Sequence, residues 1–222
     1  MKRINGQKPG FKELAIKVLL WISCAKRLLT TSELQHAVAI KVSKSKFDQG
    51  DLPQIGDMVS VCAGLVDIDK ESNIIRLVHY TAQEYFELKQ KYWFPKAETH
   101  ITKACITYLS FDTFESGFCP TDKEFEAQLQ LYPFYDYAAR NWGHHARVAS
   151  TGVEKLILGL LESETKGSAS SQAIFASRQR SWNPDYSQRV PRQITGAHLA
   201  AYFWTEVIDH GLTRERMWSK GL

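Results

Sequence analysis

Between Cys62 and Phe86 the hydrophobic period changes twice, and that order leaves few folds open. Leu65 to Asp69 and Ile74 to His79 alternate apolar and polar residues and are rich in branched side chains, the pattern of half-buried strands. Lys70 to Asn73 between them is a polar hairpin loop. From Thr81 to Lys89 the spacing becomes helical. A hairpin feeding directly into a helix carries no catalytic constellation, and its meaning depends on what precedes it.

Three helices precede it. Leu14, Val18, Trp21, Ile22 and Ala25 recur at helical spacing, predicting a first helix over 11–28. Lys17 interrupts the apolar run, and Lys26-Arg27 stand where a signal peptide would place small residues. Thr30-Thr31-Ser32-Glu33 offers a cap and an early acid for a second helix, about Ser32 to Val42. Pro53 suits the first turn of a third, with Ile55, Met58, Val59 and Cys62 on one face and Gly64 as its C-terminal cap. Three helices followed by a hairpin is winged-helix order.

The rest reads as helical. Glu98 to Leu109, Lys123 to Leu131, a helix opened by Pro133, and Val153 to Leu161 follow in turn. Ser163 to Ser171 is rich in Ser and Gly, and 172–192 is polar with Pro184 and Pro191; both predict poor order. The expected fold is mostly α: a winged helix of three helices plus a β-hairpin wing, then an α-helical extension and a partial ankyrin-like helix pair. The expected divisions are a tail at 1–10, the winged helix at 11–90, the extension at 91–162, a flexible linker at 163–192 and the partial repeat at 193–222.

Residues 14–147 resemble the winged-helix and helical segment that follows the NACHT ATPase in fungal NACHT–ankyrin proteins, members of the STAND class of signal-transducing ATPases. The same winged helix is also met as the GPI inositol-deacylase winged-helix domain. Three blocks carry the resemblance: Ala15 to Ile22 with Arg27-Leu28-Leu29-Thr30, Cys62 to Phe86, and Tyr132 to His145. Thr195-Gly196-Ala197-His198-Leu199-Ala200-Ala201 resembles the opening of an ankyrin repeat, with Glu206-Val207-Ile208 in its second helix. Gly196 stands where the repeat usually has Pro, and Trp204 where a Gly-containing turn is usual. The resemblance implies a bracing hydrogen bond from His198. A lone repeat cannot bury its apolar face, so the expectation is a piece of a longer protein, a split product or a degenerate copy.

The resemblance implies a non-enzymatic relay between an ATPase, in cis or in trans, and ankyrin sensor repeats, in the cytoplasm and without cofactor, small-molecule substrate or membrane. The residues agree. No G-x-x-x-x-G-K-[ST] occurs, and Gly167-Ser168-Ala169-Ser170-Ser171 lacks the second Gly of a nucleophile elbow. No catalytic, cofactor-binding or metal residue is assigned. His144 and His145 are adjacent on a helix and point about 100° apart, so they do not converge on an ion. His79 is expected to be a hydrogen-bonded structural residue. Cys24, Cys62, Cys105 and Cys119 have no metal-ligand spacing and are expected to be free thiols in a reducing compartment.

Two other readings stand beside the relay. A winged helix can bind nucleic acid, but Pro53 to Val66 holds no Lys or Arg and includes Asp57. Basic residues lie elsewhere, at Lys41, Lys44 and Lys46 and at Lys70 and Arg76 in the wing, and the net charge is only +4. A stand-alone adaptor would bind protein through the extension. There Phe134, Tyr135, Tyr137 and Trp142 are expected as core, with one of their two faces open to a partner domain.

Overall fold

The computed structural model describes residues 1–42, 44–149, 151–176 and 184–209, with side chains through 204. The expected tail is packed: α1 (Lys2–Asn5) buries Ile4 completely. Pro9 opens α2 (Pro9–Cys24), a position where its missing N–H costs nothing. This helix buries Ala15, Val18, Leu19, Leu20 and Trp21.

Leu29 and Thr30 form a short strand, β1 (Leu29–Thr30), before α3 (Thr31–Ala39). Thr30 caps α3: its hydroxyl accepts from Glu33 N–H, while Glu33 Oε2 accepts from Thr30 N–H at 2.8 Å, a closed capping box. The third helix, α4 (Ile55–Val61), starts two residues beyond Pro53. It is capped at Cys62, and Ala63 and Gly64 then both take left-handed backbone angles to reverse the chain.

The wing consists of β2 (Val66–Asp69) and β3 (Ile74–Leu77), antiparallel with Val66 opposite Leu77 and Asp69 opposite Ile74. β1 adds to the far side of β3, giving the order β1-β3-β2 among the described residues. α5 (Tyr80–Leu88) follows and sends Phe86 into the core; a short α6 (Gln90–Trp93) ends the winged helix.

The extension begins with α7 (Ala97–Leu109) and continues through α8 (Asp122–Leu131), α9 (Tyr135–Ala146) and α10 (Glu154–Glu162). Phe134, Tyr135, Tyr137 and Trp142 are completely buried. Phe134 and Tyr137 meet Trp21 of α2 edge-on, with ring centroids 5.2 and 5.9 Å away. Winged helix and extension therefore share one aromatic core.

Two expectations fail in the last third. The 163–192 segment holds a packed helix, α11 (Glu164–Phe175), which buries Gly167, Ala169, Ser170, Ser171, Gln172 and Ala173. Small side chains suit a flexible linker, but they equally suit a helix that lies close against its neighbours. A further short turn, Tyr186–Gln188, is held by Asp122, whose Oδ1 accepts from Ser187 N–H at 2.9 Å and Ser187 Oγ at 2.5 Å. Residues 177–183 of that expected linker lie outside the described residues.

The expected helix pair is also replaced. One helix, α12 (Gly196–Asp209), runs through Trp204, because nothing there breaks it. Residues 210–222 lie outside the described residues. α12 packs back onto the extension. A Cβ on Gly196 would stand 2.0 Å from the Leu161 carbonyl oxygen, which explains why neither Pro nor any larger residue fits there. A Cβ on Gly143 would stand 2.1 Å from the Phe203 ring, so that ring seats directly on α9. Phe203 also meets Trp142 at 4.7 Å. The face of α9 expected to remain open is thus covered by the chain itself.

Candidate functional site

The most concentrated polar chemistry lies where the winged helix meets the extension. After α2 ends at Cys24, the chain turns past the α9 face, carrying Lys26 and Arg27. Lys26 N–H donates to Tyr137 Oη at 3.0 Å. That oxygen lies 2.9 Å from His145 Nε2, and His145 Nδ1 lies 2.5 Å from Glu98 Oε2 on α7. Lys26 Nζ reaches the other Glu98 oxygen at 3.5 Å.

Proton bookkeeping fixes the resting state. A neutral imidazole with its proton on Nδ1 donates to Glu98 and accepts from Tyr137 O–H, while the tyrosine oxygen accepts from Lys26 N–H. Every group is then satisfied. A second proton on Nε2 would leave the Tyr137 hydroxyl hydrogen without its acceptor. Burial pushes the His145 pKa below its ordinary value, against the pull of Glu98. Glu98 is lowered overall: burial raises it, but His145 and Lys26 outweigh that.

A second cluster is adjacent. Arg27 makes a bidentate pair with Glu33, at 3.0 and 2.6 Å, and its Nη2 also reaches Asp136 Oδ2 at 3.2 Å. Its guanidinium lies over the Tyr137 ring, 5.2 Å from the centroid. Asp136 in turn accepts from Arg140 Nε at 2.9 Å, and Arg140 ties down the Ile174 and Ala176 carbonyls at 2.6 and 2.9 Å. One continuous network therefore links α3, α9 and the end of α11.

A carboxylate, a histidine and a hydroxyl in line suggest acid–base catalysis. Here the histidine is completely buried, and both its ring nitrogens are already engaged, by Tyr137 and Glu98. A small cleft between α2, α3 and α7, lined in part by Lys17, Trp21, His100 and Lys103, has a volume of about 80 Å³. That is well below the roughly 300 Å³ at which small-molecule sites begin.

The groove-reading helix of the winged helix, α4, holds no Lys or Arg. α4 exposes Gly56, Asp57 and Ser60. Two of the lysines before it are paired, Lys41 with Asp51 at 2.6 Å and Lys44 with Asp48 at 3.0 Å and Asp51 at 3.3 Å, while Lys46 is exposed. In the wing, Arg76 lies 3.6 Å from Asp69.

The histidines singled out in the sequence separate. His145 enters the buried network, while His144 Nδ1 meets Arg147 at 2.9 Å and its ring lies against Phe203. His79 corrects its expectation: it is exposed, and among the described residues its side chain makes no hydrogen bond. His198 Nδ1 accepts from Thr195 N–H at 3.2 Å and lies 2.8 Å from Thr195 Oγ1, a local brace of the kind expected. All four cysteines are free and buried, with burial pushing Cys62 up to about 12.

Sequence reading missed Lys26, Glu98, Asp122 and Gln172. Gln172 is completely buried; its oxygen accepts from Cys119 N–H at 2.8 Å and its nitrogen donates to Cys119 O at 3.1 Å and to Ser187 O at 3.3 Å. Its only signal in the sequence was a polar residue in a stretch already read as a linker.

Comparison with known proteins agrees with this architecture. Residues 3–91 match the family model described as "GPI inositol-deacylase, winged helix domain". That range takes in α1, which joins the core. Among curated proteins, the chain is similar to "Azaphilone pigments biosynthesis cluster protein L" of Monascus ruber, with 27% identity over 169 residues. The match covers 67% of this chain and 35% of that protein, so the chain spans about a third of the relative it matches. No solved structure matches. Among the described residues, no helix is long and apolar enough to cross a membrane.

Proposed function

We propose that this chain is a non-enzymatic regulatory module in which a winged helix and a helical extension move as one body, relaying the state of a NACHT-type ATPase to a sensor. The observation that carries it is the joint between the two parts. Trp21 sits in the Phe134–Tyr137 cluster, and Arg27 and Lys26 are bonded to Asp136, Tyr137 and Glu98 across the boundary. A relay needs a rigid connection between input and output surfaces, and a shared core with a satisfied polar network supplies one. The resemblance of residues 14–147 to the segment behind the NACHT ATPase supports the same reading.

Complete burial of His145 and Tyr137 argues against acid–base catalysis at this joint. The neutral-to-acidic α4 face argues against a nucleic-acid reader. The test is association of the purified chain with a NACHT ATPase of the same organism, loaded with ADP or with a non-hydrolysable ATP analogue. Association that differs between the two states supports the relay. No association in either state, or tight duplex DNA binding that survives moderate salt, overturns it.

A further inference from the structure

The segment from Val78 to Tyr92 is unusual for a surface. Leu88 is 83% exposed, Tyr92 75% and Tyr80 72%, and Val78 and Tyr85 also face solvent. Two of these side chains, Tyr85 and Tyr92, are held by Trp93. Trp93 Nε1 donates to Tyr85 Oη at 2.9 Å, and the Trp93 ring meets Tyr92 edge-on at 5.0 Å. Trp93 thereby ties α6 to α5 and makes Tyr85 and Tyr92 one aromatic ridge, with Leu88 between them in the chain. A fixed apolar ridge of this size on a surface marks an interaction site.

Its charges identify the partner. Glu84 and Glu87 precede the centre of the ridge, Lys89 and Lys91 follow it, and all four are exposed. Neither lysine makes an ion pair among the described residues, and both carboxylates precede both ammonium groups along one short stretch. Along this stretch the acids lie on the N-terminal side of Leu88 and the bases on its C-terminal side, so two copies laid antiparallel about Leu88 set acid beside base. That is the requirement of a two-fold contact, in which the same patch serves both subunits.

We propose that Tyr85, Leu88 and Tyr92 form the centre of an antiparallel, two-fold contact with a second copy of this chain, with Glu84 and Glu87 of one copy beside Lys89 and Lys91 of the other. Each copy contributes one short segment, so the dimer is expected to be weak, with a Kd on the order of 10 µM. Self-association through this face is independent of any ATPase contact.

Sedimentation velocity of the whole chain across a concentration series tests it. The wild-type chain is expected to dimerise reversibly. Leu88→Glu, on an exposed site where folding is unaffected, is expected to weaken dimerisation at least tenfold with an unchanged circular dichroism spectrum. A charge swap reads the orientation. The Glu84→Lys/Glu87→Lys and Lys89→Glu/Lys91→Glu proteins are each expected to remain monomeric alone and to form a heterodimer when mixed. A chain that stays monomeric to several hundred micromolar, a dimer indifferent to Leu88→Glu, or a failure of the mixed charge variants to pair overturns the proposal. So does binding of the ridge to anionic vesicles in place of a second copy.

Discussion

His145 Nδ1 lies 2.5 Å from Glu98 Oε2, so a completely buried imidazole on α9 is fastened to a carboxylate on α7. The contact closes a chain of donors and acceptors that begins at the Lys26 backbone, just beyond the last helical turn of α2. It holds the extension to the winged helix with the imidazole itself shut away from solvent.

Removing one member should cost more than an ordinary hydrogen bond. His145→Phe leaves the Glu98 carboxylate and the Tyr137 hydroxyl with only their Lys26 contacts, and is expected to lower stability by about 2–4 kcal/mol. Glu98→Gln keeps an acceptor for Nδ1–H and is expected to cost about 1 kcal/mol. Urea unfolding of the two variants gives the comparison.

Acid should weaken the fold in a defined window. Burial pushes His36 from 6.5 down to about 4, and His145 is lowered in the same direction. In the unfolded chain both take up protons near pH 6.5 while the folded chain resists, so the unfolded state binds more protons and stability rises with pH there. Stability should be flat above about pH 6.5 and fall progressively toward pH 4, with His36 contributing on the order of 3 kcal/mol. The test is thermal unfolding between pH 7 and 4.5; His36→Gln should flatten the slope.

The seat of α12 can be tested by adding one methyl group. Gly143→Ala places a Cβ where the Phe203 ring lies, and is expected to destabilise by about 1–3 kcal/mol. Combined with Phe203→Ala, the two costs should fall short of their sum by about 1 kcal/mol or more, because the clash is gone once the ring is removed. A double-mutant cycle by thermal unfolding reads this coupling.

The expected linker supplies another check. Gln172→Leu removes three bonds that hold the Cys119 backbone and the Ser187 carbonyl, and is expected to cost about 2–3 kcal/mol. Tryptic cleavage at Lys166 should be slow in the wild-type chain and faster in the variant.

The parts of the fold that were legible have strong local periods. The 3.6-residue spacing of α2 and the two-residue alternation of β2 and β3 gave the winged helix, and Thr30 with Glu33 announced the cap of α3. β1 has two residues and no period to detect; only its pairing with Ile74 and Ile75 makes it a strand. α11 was hidden because Gly, Ala and Ser signal both freedom and close packing, and only tertiary contacts separate the two. The joint was hidden for a different reason. Glu98 and His145 are 47 residues apart, and Arg27 and Asp136 are 109 apart, so no local pattern connects them.

The account rests on the winged helix and the extension behaving as one body. Differential scanning calorimetry of the whole chain, alone and as Arg27→Ala, tests that most directly. A single transition whose calorimetric and van't Hoff enthalpies agree, moved to lower temperature as a unit by Arg27→Ala, is the result expected of one body. Two separable transitions in the wild-type chain would contradict it, because a winged helix that melts on its own could not relay anything through α9.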